Sequence, residues 1–424
     1  MKNKKVLILT YYWHPSGGPG VQRWLKFVKY LPSFGITPAV LTVKPECAEY
    51  PVIDESLGTD LAADLEIYRT DCKGMYDLYK KIARVKTAPY SGFANEGNPT
   101  LLQKAARFIR GNFFLPDARR GWVKYAFRES CRIIEQQDIA TVITTGPPHS
   151  THLTGCKLKR KYGIRWIADF RDPWTNIQYK SFLYQTGWAR KKDLEYERQV
   201  LRLCDVLLLA VDERARLQKI HPDISPDKML FVPNGYDEED FAGKTPQNPL
   251  HPLITYTGTI AANYPLDGLL QALAQLADLP FTLRFVGKVD EKTQAACRQR
   301  LGNRVEFIPF VPHGKSIDYL MSSSVLLLVN ARVEGVQFLL HGKIFEYLAS
   351  GKPILLLGAP EGKSAQIIRE AGAGQAFDYN DADGISRFLS EQCAHPAPHA
   401  HPEYVRRFSR KQLAQTLAQI IENV

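Results

Sequence analysis

The sequence has no run of about 18 apolar residues, so it predicts no membrane-spanning helix. It has no Cys-x-x-Cys pair. Its seven cysteines stand apart at 47, 72, 131, 156, 204, 297 and 393. An odd, scattered set predicts buried, reduced thiols of a cytosolic protein and leaves structural zinc without a ligand pattern. No segment is low in complexity, and no repeat recurs at solenoid periods. No nucleic-acid-binding motif accompanies the net charge of +11. Nor does the start read as a signal peptide. The apolar run Val6–Thr10 is too short, and Tyr11, Tyr12, Trp13 and His14 stand where a small-residue cleavage site belongs. A buried first strand is the better expectation.

What is present is alternation. The 424 residues are too many for one ordinary core and suggest two domains of about 200 residues each. Short β-branched runs alternate with amphipathic stretches, the pattern of βαβ units and parallel sheets. A strand at Lys5–Thr10 leads through a Gly-rich loop to a helix over Val21–Leu31. Residues 85–120 read as irregular. Strands at Ala140–Thr144 and Arg165–Asp169 flank a helix over His152–Tyr162. Pro233-Asn234-Gly235 reads as a turn, and residues 237–252 as a linker. A second series begins at Leu253–Thr257 and ends with an amphipathic helix over Arg410–Ile421. Ligands on doubly wound sheets sit at the carboxyl ends of the strands.

The positive charge implies an anionic partner, whether nucleic acid, anionic lipid or a phosphorylated substrate. It is dense from Lys104 to Arg132, beside Phe113-Phe114-Leu115. Such a stretch is either a solvated helix face with a packing cluster or a surface that docks on anionic lipid.

Four segments carry chemistry. Gly17, Gly18 and Gly20, with Pro19 between, join the first strand to the first helix. Glycine lets a backbone approach a ligand, and a helix start favours anions. A dinucleotide fingerprint fits poorly: Arg23 takes the place of the third glycine, and Lys44 stands where a ribose-binding acid belongs. The loop is therefore a tight turn or a turn that contacts substrate. In Gly146-Pro147-Pro148-His149-Ser150, two prolines fix a rigid loop. His149 is either satisfied by nearby backbone or placed to donate or accept a hydrogen bond in a cleft. In Asp169-Phe170-Arg171-Asp172-Pro173-Trp174, the carboxylates and Arg171 form an internal ion-pair network or grip sugar hydroxyls, with Trp174 covering an apolar sugar face. In Gly342–Pro353, Lys343 at a helix start makes an anion site, and Glu346 one turn on can hold a ribose diol. The plain alternative is a surface Lys–Glu pair.

The fourth segment resembles the C-terminal signature of the retaining GT-B glycosyltransferases of family 4, and the segments above follow the family's order along nearly the whole chain. The resemblance implies an α/β fold of GT-B type: two facing, Rossmann-like, doubly wound parallel-sheet domains with an interdomain cleft. Residues 1–225 and a returning helix at about 406–424 would hold the acceptor. Residues 226–405 would hold the nucleotide sugar. Gly17, Gly18, Gly20, Gly258, Thr259, Lys343 and Glu346 would contact the donor, and Val311 and His313 would line its base. His149 and Lys343 would act in catalysis, and Asp169, Arg171, Asp172 and Trp174 on the acceptor or sugar. No metal is implied, and Asp381-Ala382-Asp383 reads as a helix cap. The nucleotide-diphosphate sugar is a co-substrate rather than a cofactor. The implied partners are that donor and a glycan or polyprenyl-linked acceptor, with a cytoplasmic location extending to the inner face of the plasma membrane. Phe338 stands where the family has a glutamate, with Glu334 nearby, and Thr259 where it often has arginine. Two other activities fit the pattern: a nucleotide-sugar 2-epimerase, and a non-catalytic nucleotide-sugar-binding protein.

Overall fold

A computed structural model describes residues 4–72, 100–276, 278–333, 335–394 and 400–424. The chain divides into two compact units, residues 1–233 with 413–424, and residues 234–412.

The first unit holds a seven-stranded, all-parallel sheet. Its strands in chain order are β1 (Lys4–Leu9), β2 (Ile36–Val43), β3 (Glu66–Thr70), β4 (Thr141–Gly146), β5 (Arg165–Phe170), β6 (Val206–Leu209) and β7 (Met229–Phe231). In space they run β3-β2-β1-β4-β5-β6-β7, so the order reverses between β1 and β4. Both faces of β1 are covered. Leu7 and Leu9 join the core that contains Trp166 and Phe170, and Val6 and Ile8 join the one that contains Trp24 and Phe27. A strand covered on both faces reads as a continuous apolar run, which is why β1 was legible. The C-terminal helix Arg410–Asn423 supplies Leu413, Ala414, Leu417 and Ile421 to the second of these cores.

The second unit repeats the plan with β8 (Leu253–Thr257), β9 (Thr282–Val286), β10 (Val305–Ile308), β11 (Val325–Val329), β12 (Ile354–Leu357) and β13 (Gly374–Phe377). Its parallel order is β10-β9-β8-β11-β12-β13, reversing between β8 and β11. Val325, Leu327 and Val329 face one core, Leu326 and Leu328 the other. Because β7 pairs with β6, the division falls at residue 233 rather than 225.

Several elements differ from expectation. Within the stretch read as irregular, Leu101–Phe113 is a helix with a Thr100–Gln103 capping box, while residues 114–119 are bends and turns. Residues 85–99 lie outside the described residues, as does Glu334. Edge strands β3 and β13 went unread because their sequences, EIYRT and GQAF, bury little and break the apolar run. The stretch 237–252 contains a single helical turn, Glu238–Phe241, capped by Asp237. The helices Arg214–Ile220 and Glu291–Leu301 are new. The latter carries only two buried residues, too few for a visible periodicity.

Candidate functional site

In each unit, the strand-order reversal opens the sheet's carboxyl edge, where α/β proteins bind ligands. Most of the predicted residues collect at these two edges.

In the second unit, Gly258 ends β8 and Lys343 begins the helix Lys343–Ala349 between β11 and β12. The Lys343 Nζ donates to the Thr257 carbonyl at 2.7 Å and to the Tyr256 hydroxyl at 2.8 Å, and lies 4.1 Å from the centroid of the Tyr256 ring. Tyr256 in turn donates to the Thr259 carbonyl at 2.9 Å. Gly258 has φ +120°, and a Cβ there would sit 2.6 Å from Nζ. Only glycine combines that backbone angle with room for the ammonium. The helix is held from below by Tyr347, which accepts from the Thr257 N–H at 3.0 Å and donates to the Leu327 carbonyl at 3.3 Å. At seven residues the helix is short, so the positive charge here is that of Lys343 rather than of a helix dipole.

Burial lowers the Lys343 ammonium to about 7, against an opposing pull from Glu346. Beside it, burial holds His341 neutral, at about 4, and its Nε2 is buried without a partner among the described residues. Glu346 is half-buried, and its carboxylate makes no hydrogen bond or ion pair among the described residues. Burial raises its carboxyl, opposed first by His313. His313 opens the helix His313–Met321 and meets Asp240 at 3.0 Å. Asp240 and Arg410, both felt by Glu346, were not singled out from the sequence. Asp240 sits in the stretch read as a linker, and neither residue belongs to a spaced motif. Val311 and Thr259 are half-buried at the same edge.

A lysine near 7 is largely neutral at pH 8 and largely charged at pH 6. A bound diphosphate favours the charged form and raises its pKa. Binding of a nucleoside diphosphate at pH 8 is therefore expected to take up about one proton, and almost none at pH 6. Calorimetry in buffers of different ionisation enthalpy measures this. Equal heats in all buffers at pH 8 contradict it.

In the first unit, the Gly-rich loop follows β1, and the loop Gly146–His149 ends β4. The three glycines serve different ends. Gly17 is buried against Val52 and Asp54: a Cβ would lie 2.9 Å from the Asp54 Cβ, and its N–H donates to the Val52 carbonyl. Packing by itself requires a glycine here. Gly18 is the N-cap of the helix Pro19–Tyr30, at φ +103° with open space beside it. Gly20 makes room for Arg171, whose Nη1 would lie 1.3 Å from an added Cβ. The Arg171 guanidinium also donates to the carbonyls of Gly146, at 3.2 Å, and Pro147. It thus ties the two loops together. It is half-buried, and Asp172 beside it is exposed.

The remaining expectations in this unit need correction. Asp169 is wholly buried and accepts from Arg23 at 3.0 Å, Trp24 at 2.7 Å and Thr145 at 2.8 Å, so it is an internal anchor and grips no sugar. Trp174 is also wholly buried, with its indole N–H on Asp193, and covers no sugar face. Asp193 is paired in turn with Lys180. His149 stacks on Trp174 at 4.7 Å, and burial lowers its pKa far below the usual range. At 3% exposure it forms part of an aromatic cluster with His152 and Phe170. The sequence showed these residues at a strand end. It did not show that the strand end is roofed.

No protein-family model matches this chain, and no curated protein matches it in sequence. Solved structures do match in fold. Sucrose-phosphate synthase from Thermosynechococcus elongatus superposes with a TM-score of 0.66 at 14% identity, covering 99% of this chain and 98% of that one. Anabaena HepE, crystallised with UDP and glucose, gives 0.61 at 13% identity, covering 99% and 100%. WaaG, a glycosyltransferase involved in lipopolysaccharide biosynthesis, gives 0.56 at 15% identity, also covering 99% and 100%. With two parallel sheets in the same doubly wound order, the fold of this chain is that of the GT-B glycosyltransferases.

Proposed function

We propose that this chain is a retaining glycosyltransferase of family 4 that moves a hexosyl group from a nucleotide-diphosphate donor to a glycan or lipid-linked acceptor in bacterial surface polysaccharide synthesis. One observation carries the reading. Lys343 is held by Tyr256 and Thr257 directly under a glycine that leaves the space above it clear, with the unpaired Glu346 one turn along. This arrangement suits a diphosphate on the ammonium and a ribose diol on the carboxylate. HepE, with UDP and glucose bound, makes a UDP-sugar the first donor to test.

In this reaction the bond from the sugar C1 to the diphosphate oxygen breaks, and a bond from C1 to the acceptor oxygen forms on the same face. The acceptor's proton passes to the leaving diphosphate. The protein then needs positive charge at the leaving group more than a strong base. Lys343 supplies it, its charged form favoured as the diphosphate binds. Gly258, Thr259, Val311 and His313 complete the donor side, and Gly18 and Arg171 are the first-unit groups open to ligand. No metal is part of this reading. The chain would work in the cytoplasm, peripherally on the inner membrane face.

A thermal-shift panel of nucleotides and nucleotide sugars tests the reading. A ligand at a hundred times its Kd stabilises the folded state by about 2.7 kcal/mol, a shift of several degrees. One base is expected to stand out as its diphosphate and its sugar. A panel in which no nucleotide shifts the transition rejects the donor site. Binding without nucleotide release in pooled acceptors favours a non-catalytic binding protein. Deuterium incorporation at C2 without an acceptor favours a 2-epimerase.

A further inference from the structure

The helix Leu101–Phe113 is amphipathic in the reverse sense. It buries Ala106, Arg107, Gly111 and Asn112 against the protein and turns Leu101, Leu102, Phe108, Ile109 and Phe113 outward. Leu101 is 84% exposed and Phe113 69%. The inversion is anchored. Asn112 accepts from the Thr186 N–H and hydroxyl, both at 2.8 Å, and donates to the Tyr184 carbonyl at 3.2 Å. A Cβ on Gly111 would lie 2.3 Å from the Leu183 carbonyl oxygen, so the polar side is fitted to the segment beyond it. That segment adds exposed Phe182, Tyr184 and Trp188, the last at 66%. Large apolar side chains gathered on one face mark a surface that something covers.

The charge around this face indicates what covers it. Neither residues 101–115 nor residues 178–192 contain an Asp or Glu. Exposed Lys104, Arg190 and Lys191 flank the apolar side chains. A second copy of the chain, related by a two-fold axis, would bring these like charges together, which opposes self-association. A bilayer with anionic headgroups accepts both features: apolar side chains enter the headgroup–acyl boundary, and the bases stay among the phosphates. We propose that the helix Leu101–Phe113 and the segment through Trp188 form a docking face for an anionic lipid bilayer. It gives the membrane position in the proposed function a specific surface, and it stands on the first unit alone.

Flotation of the full chain with vesicles tests it. Vesicles with about 30% phosphatidylglycerol are expected to bind at least tenfold more protein than pure phosphatidylcholine, since each base at an anionic surface is worth about fivefold. The triple variant Leu102→Glu, Phe113→Glu, Trp188→Glu is expected to lose at least tenfold at any salt concentration. The double variant Lys104→Glu, Lys191→Glu should lose as much at low salt, with the gap closing as salt rises. All five side chains are exposed, so the fold should survive, as circular dichroism can check. Failure to bind phosphatidylglycerol vesicles overturns the proposal, as does normal flotation of the triple variant. So does a solution dimer that the triple variant dissociates, because a second copy then covers the face. The nucleotide thermal shift, read on the same proteins, separates the two readings. Lost flotation with an intact shift removes docking alone, and intact flotation without any shift supports docking and removes the donor site.

Discussion

Lys343→Ala is expected to lower turnover of the preferred nucleotide sugar by about a hundredfold or more, the scale for removing one preorganised contact to developing charge. In the unliganded chain the ammonium is costly: burial lowers it to about 7. The folded state therefore binds less proton than the unfolded one between about 7 and the usual lysine value, and this group's contribution to stability rises with pH across that window. Alanine removes the cost together with the charge. The melting temperature should therefore stay within a few degrees while the rate collapses. The proton uptake expected at pH 8 should vanish in the same variant. A Lys343→Ala protein that turns over normally defeats the proposed mechanism. One that unfolds instead shows that Lys343 is structural, bracing Tyr256 and the Thr257 carbonyl.

Arg23→Ala is expected to destabilise the first unit by about 3–5 kcal/mol, the cost of leaving a buried charge unpaired. Arg23 and Asp169 are both wholly buried and meet at 3.0 Å. Arg23 also donates to the Pro233 carbonyl at 2.7 Å and the Val232 carbonyl at 2.8 Å, where the chain leaves β7. Removing it leaves the Asp169 carboxylate without its counter-charge and takes a donor from two carbonyls. The double variant Arg23→Met, Asp169→Leu should recover much of the loss, because paired apolar replacements often match a buried ion pair. Equilibrium urea unfolding followed by tryptophan fluorescence reports the change directly, since the Trp24 indole bonds to Asp169 at 2.7 Å. A loss under about 1 kcal/mol for Arg23→Ala would put the pair among those of little consequence.

Arg23 also shows how far the sequence could be read. Its position argued against a dinucleotide loop, because a third glycine was missing. That Arg23 crosses to Asp169 depends on β5 lying two places from β1, which no local pattern records. The Asp-Phe-Arg-Asp-Pro-Trp segment presented the same difficulty. The strand ends at Phe170, and across that end Asp169 and Trp174 turn inward while Arg171 and Asp172 reach the surface. Composition offered all four as sugar ligands.

Lys343 and Glu346 are placed by local spacing. A glycine, a lysine and a glutamate three residues on form one turn of helix, and one turn is set by neighbours in the chain. By itself, then, the sequence determined the two βα series, the buried strands β1, β4, β8 and β11, and the single-turn geometry of the Lys343–Glu346 segment. Each rests on periodicity within a few residues. The tertiary structure alone decided that Gly17 packs while Gly18 faces open space, that His149 lies beneath an aromatic roof, and that Leu101–Phe113 turns its apolar side outward. Those outcomes depend on which distant elements a side chain meets, and burial is a property of the assembled layers rather than of the residue.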